Sequence, residues 1–95
     1  MALPAPLVAA PQANEVEAMR RIYNNKMALI GILRESARER AMAEGDLQTL
    51  CLILGIGLDV TDRYLDQVPG NAALNTRRRL MVKDLETCRR GLEAG

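Results

Sequence analysis

The stretch Thr49–Val60, TLCLILGIGLDV, is almost wholly apolar and carries two glycines, Gly55 and Gly57, near its end. It could be a buried strand, part of a membrane span, or a helix with no solvent face, and the choice decides the fold. The uncharged run between Asp46 and Asp59 is twelve residues long, well short of the roughly 20 that a helix needs to cross a bilayer. A strand would need partners, and no second segment alternates apolar and polar positions with β-branched side chains. As a helix, Leu47, Leu50, Cys51, Leu54, Leu58, Leu65 and Val68 fall on one face, while Leu52, Ile53, Ile56, Val60 and Tyr64 fall on another. A helix apolar on two sides is expected to be central, with a neighbour on each.

The flanking sequence supplies those neighbours. Asn14 followed by Glu17 resembles a capping box, and Glu15 and Glu17 suit the positive end of a helix dipole. A first helix is therefore expected from about Glu15 to Gly45, which suits a C′ position. At about 30 residues it would be about 45 Å long. Val16, Met19, Tyr23, Ile30, Leu33 and Ala37 form a heptad-like seam along it, interrupted by Lys26 and running into Arg40. Gly31 sits in its most apolar part, Met27–Leu33. A crossing of the first two helices near Gly31, Gly55 and Gly57 is expected, with a kink at the glycines as the alternative. Asp46 can cap the second helix, which should end before Pro69 and Gly70, and Asn71 can cap a third. Leu74, Met81, Leu85, Cys88 and Leu92 form a stripe on that last helix.

The fold expected is all-α: one long N-terminal helix followed by two shorter ones in an antiparallel bundle completed by dimerisation. One three-helix domain would span residues 14–93, preceded by a flexible Ala/Pro-rich arm at 1–13. Proline there favours extended, solvated backbone, and with no basic n-region the segment does not read as a signal peptide. Ninety-five residues bury a modest core. That core lacks Phe and Trp, and Tyr23 and Tyr64 are the only aromatics. Arginine far outnumbers lysine and alanine is plentiful, a compositional hint of a bacterial gene.

The same inventory excludes much chemistry. There is no histidine, so the usual triads and Cys/His pairs are absent. Cys51 and Cys88 have no partners at metal-ligand spacing, and each lies in an apolar run as a small hydrophobe would. Two reduced thiols, and with them a cytoplasmic location, are expected. Ser36 has neither an elbow motif nor a base. Asp59, Asp62 and Asp66 share a helical side, but that spacing describes a solvated acidic face and not a calcium loop. GIG lacks the lysine or serine of a phosphate loop. No cofactor and no metal are expected.

Arg77, Arg78 and Arg79 are the most suggestive polar group and the candidate for charged docking. Three successive positions point in three directions on a helix, so they cannot face one groove together, and the acidic side at Asp59, Asp62 and Asp66 is an available mate. With a net charge of +1, binding to a polyanion through charge alone is not expected.

In layout, one long amphipathic helix and two shorter ones, the chain resembles the all-helical chorismate mutases, which work with arginine, lysine and glutamate in an intertwined dimer. It departs from them in the spacing of Arg20, Lys26 and Arg34 and in lacking a clear Glu and Gln pair on the last helix. The layout also resembles small helical bacterial secretion chaperones and transcription anti-activators, which expose an apolar groove to a client. The expected function is non-enzymatic: an adaptor, chaperone-like or anti-activator-like module that buries an apolar helix face against itself and against a protein client. The face proposed for this comprises Tyr23, Met27, Ile30, Leu33, Ile53, Ile56, Val60 and Tyr64. The physical reason is an excess of apolar helix surface over what 95 residues can cover. A nucleic-acid-binding transcriptional regulator is the alternative, and a chorismate-mutase-like enzyme ranks below it.

Overall fold

A computed structural model describes residues 12–94. They form three helices, α1 (Ala13–Glu44), α2 (Leu47–Gln67) and α3 (Ala72–Ala94), with no strand among the described residues. One long helix followed by two shorter ones is the architecture that the apolar patterning requires. The arm expected at residues 1–13 lies outside the described residues except for Gln12 and Ala13, and Ala13 already opens α1.

Local chemistry sets the breaks. Gly45 takes a left-handed φ of 72°, and its N–H donates to the Ala41 carbonyl at 2.9 Å, closing α1. The chain reverses at once, because Asp46 caps α2. Its carboxylate accepts from the Thr49 N–H at 3.1 Å and from the Thr49 hydroxyl at 2.8 Å, and these bonds hold its pKa below the usual carboxylate value. α2 stops ahead of Pro69, and Asn71 caps α3 by accepting from the Leu74 N–H at 3.0 Å. The expected cap at Asn14 is not made. The residue before α1 is Gln12, which gives no side-chain cap, and Asn14 sits inside the first turn, accepting only from the neighbouring Glu15 N–H.

α2 is the shared wall of the bundle. α1 and α3 each pack against it, whereas no Cα of α1 comes within 8 Å of one in α3. Two buried clusters result. One joins Tyr23 of α1 to Tyr64 and Leu65 of α2 and Leu74 of α3, with Met19, Met27, Val60 and Val68 packed around them. The other joins Cys51 of α2 to Leu85 and Cys88 of α3, over Leu47, Leu50, Leu54 and Leu58. The two faces read from the apolar run thus serve two different neighbours only in part: the Cys51 face carries α3, and the Tyr64 face meets α1 through Val60 and Tyr64 while Leu52 and Ile56 stay exposed.

Two expectations are overturned. Cys51 and Cys88 are not separate reduced thiols but a disulfide, with Cα atoms 5.6 Å apart, so the expected cytoplasmic location loses the support of free thiols. The bond closes a loop between residues 37 apart in sequence, and cross-links of this kind contribute about 2–4 kcal/mol. It holds α3 to the one helix that α3 packs on.

The glycines also behave differently from expectation. α2 runs unbroken through Gly55 and Gly57, so there is no break of the helix at either. A Cβ added at Gly31 or Gly55 would meet nothing within 4 Å, so the close crossing does not form there. At Gly57 a Cβ would lie 3.4 Å from both Ile30 Cγ2 and Met81 Cε, ordinary contact distances between α2 and its two neighbours. No glycine of α2 is needed to let two backbones approach. Gly55→Ala should therefore stabilise by up to about 1 kcal/mol in urea unfolding, the usual helix-propensity gain. Gly57→Ala should cost nothing, while Gly57→Leu, which must displace Ile30 and Met81, should destabilise by about 1–3 kcal/mol. Destabilisation by Gly55→Ala would contradict this packing.

Candidate interaction surface

The eight apolar residues expected at an interface divide into two groups. Tyr23 and Tyr64 are buried within the chain itself, their rings stacked with centroids 4.5 Å apart and planes 16° from parallel. They are core residues and offer no surface to a partner. The Tyr23 hydroxyl shares a hydrogen bond of 2.8 Å with Oγ1 of Thr61, a residue with no solvent exposure, and the Met81 sulfur lies 3.5 Å from the same oxygen. Met27, Ile30, Ile53 and Val60 are half-buried between α1 and α2. Only Leu33 and Ile56 of the eight are exposed, at 46% and 43%.

These two belong to a wider apolar surface. Ile22 is 54% exposed and Leu29 59% on α1, and Leu52 is 63% exposed on α2. In α1, Ile22, Lys26, Leu29 and Leu33 follow at alternating steps of four and three, a second heptad seam on the flank beside the buried one. The orientation of this flank follows from a cleft at its N-terminal end, where Met19, Ile22 and Lys26 of α1 stand across from Val60, Arg63 and Gln67 of α2, with Tyr23 and Tyr64 at its base. Ile56 and Leu52 continue the Arg63 side of α2 two and three turns further on, beyond Asp59, which pairs with Arg63 at 3.3 Å. Ile22, Leu29, Leu33, Ile56 and Leu52 therefore lie along one side of the α1–α2 pair. Ile22, Leu29 and Leu52 are not among the residues expected at an interface: a single seam through α1 leaves out Ile22 and Leu29, while Leu52 shares the Tyr64 face of α2 but not its packing. The repeated 4-3 spacing from Ile22 to Leu33 is the signal that reveals a second seam.

The arginine triplet separates as helix geometry requires. Arg78 pairs with Asp62 of α2 through Nε, with Nη2 3.5 Å from the second carboxylate oxygen, and this partner raises the arginine pKa further. Arg77 lies over the Tyr23 ring, 6.0 Å from its centroid. Arg79 donates to the Thr76 hydroxyl at 3.1 Å. The first two are spent on holding α3 to α2 and α1. No group of three His, Cys, Asp or Glu side chains converges as a metal site among the described residues, and none of their helices is long and apolar enough to cross a membrane.

No family model, curated protein or solved structure matches this chain.

The placement of Tyr23 leads to a stability test. Tyr23→Phe and Thr61→Val should each cost about 1 kcal/mol, since either leaves a buried hydroxyl short of a partner. The double variant should cost less than the two together in a urea double-mutant cycle, because both polar groups are then gone. Strict additivity would show that the two hydroxyls are not coupled.

Proposed function

We propose that this chain is a non-enzymatic helical interaction module that works by burying the outer side of the α1–α2 pair against another protein surface. One observation carries the reading: five large aliphatic side chains, Ile22, Leu29, Leu33, Leu52 and Ile56, stay exposed along a single side of two packed helices. Scattered exposed leucines need no explanation, but a continuous apolar stripe on a small protein marks an interface. Heptad spacing on α1 favours a helix as the complementary element, because knobs at that spacing enter holes between side chains of another helix. The internal use of Arg77 and Arg78 removes the main support for binding to nucleic acid.

Association in a cell extract tests this reading without naming the partner. Leu29→Lys combined with Leu33→Lys changes only exposed positions, so the thermal midpoint of the purified variant should stay close to that of the wild type. The tagged wild-type chain should elute from size exclusion of the extract well above the mass of one chain, and the double variant should elute as a single chain. Wild-type elution at the mass of a single chain would overturn the proposal.

A further inference from the structure

We infer that the partner on this face is a second copy of the chain, docked with its α1 antiparallel to the first. The inference rests on the reading of the exposed side of α1 and α2 as an interaction face, and it adds an occupant and a register. The outer seam of α1 extends beyond its apolar centre at the same steps of four and three, giving Glu15, Met19, Ile22, Lys26, Leu29, Leu33, Ser36 and Arg40. A two-fold axis across the middle of that seam, between Met27 and Ala28, pairs each member with a counterpart equally far from the axis. Ile22 then meets Leu33 of the second copy, and Lys26 meets Leu29 of the second copy. At the two ends Glu15 meets Arg40 of the second copy.

The fourth pair sets Met19 against Ser36 of the second copy and adds no specific match; the other three are chemically matched. Ile22 and Leu33 are both exposed aliphatics, and the pair occurs twice by symmetry. Lys26 can lay its methylene stem along Leu29 while its ammonium group stays in water. Glu15 lies in the first turn of α1 and is exposed. Arg40 is half-exposed, uses Nη2 on Asp46 at 3.1 Å and Nε on Glu44 at 3.9 Å, and keeps Nη1 for a further carboxylate. A parallel arrangement would instead set Glu15 against Glu15, Lys26 against Lys26 and Arg40 against Arg40, a like-charge clash at three levels of the seam. The seam is thus self-complementary in the antiparallel direction and self-repelling in the parallel one. The same two-fold operation brings the α2 flanks together, so that Ile56 faces the stem of Arg63 of the second copy.

Cross-linking of the purified full-length chain reads the register. Chains carrying Ile22→Cys are mixed with chains carrying Leu33→Cys and treated with a short bismaleimide, the native cysteines being held in their disulfide. The mixture should give a covalent dimer at least several-fold faster than either variant alone. In this register like positions of the two copies lie about 17 Å apart along the helix, beyond the linker, whereas the unlike pair lies at one level. Sedimentation equilibrium of the untreated wild type should give the mass of two chains at micromolar concentration, and the Leu29→Lys, Leu33→Lys variant the mass of one. A wild type that sediments as one chain overturns the second copy; if it still elutes in a larger complex from the extract, the interaction reading stands and the partner is another protein. A dimer that links equally well in the unmixed samples, or that survives the double lysine substitution, also overturns the proposal.

Discussion

The whole arrangement depends on α2 being the only helix whose backbone lies against both others. From Leu47 to Leu58 the positions facing α1 or α3 are apolar, and the exposed ones, Gln48, Leu52 and Ile56, carry no charge either. Charged residues return at Asp59, Asp62, Arg63 and Asp66, on the outer positions of the same turns whose inner positions bury Thr61, Tyr64 and Leu65. Asp62 shows how such a residue is used at the edge: it binds Arg78 and ties the outer margin of α3 to α2. The disulfide makes a second tie at the other end, and the Tyr23–Thr61 hydroxyl pair fixes α1 to the same helix. Thr61 is the most enclosed side chain of the core, and its hydroxyl is satisfied by Tyr23 and by the Met81 sulfur of α3, so one residue of α2 registers both neighbours.

A shared wall leaves α1 covered on one side only. α1 has 32 residues against 21 in α2, so about 48 Å of helix lies against about 32 Å. α3 does not cover the remainder, because its backbone lies against α2 alone and it reaches α1 only through side chains such as Leu74, Arg77 and Met81. Five of the exposed aliphatics therefore gather on one flank, while Ile32, Met42, Leu80 and Leu92 are exposed outside it. The polar members of that flank are Glu15, Lys26, Ser36 and Arg40 on α1 and the Asp59–Arg63 ion pair on α2. What remains is shape, spacing and terminal charge, the properties that specify a helical partner.

Much of this was legible in the sequence, and the parts that were not have physical reasons. The helix ends at Gly45, Asp46, Pro69 and Asn71 were readable because each carries its own backbone chemistry. The two faces of the Thr49–Val60 run were readable because periodicity encodes them directly. The disulfide was not, since Cys51 and Cys88 in apolar runs look the same whether paired or free until α3 is docked beside α2. The roles of Gly31, Gly55 and Gly57 are not legible because small size does not by itself mean close approach: of the three only Gly57 has neighbours within 4 Å, and those are side-chain ends. The roles of Tyr23 and Tyr64 are not legible because a large ring at a seam position can serve either a core or a partner. Their stacking on one another inside the chain decides it for the core.

Hydrogen exchange measured residue by residue tests the claim that α2 supports both of its neighbours. Opening of α1 or α3 alone exposes one side of α2, but α2 cannot open without releasing both, so its amides should report the global unfolding free energy. The slowest exchange should fall between Gly57 and Leu65, around Thr61, with α1 and α3 exchanging at equal or lower protection. Amides of α1 or α3 that outlast those of α2 would show that the bundle is held together elsewhere and would contradict this account.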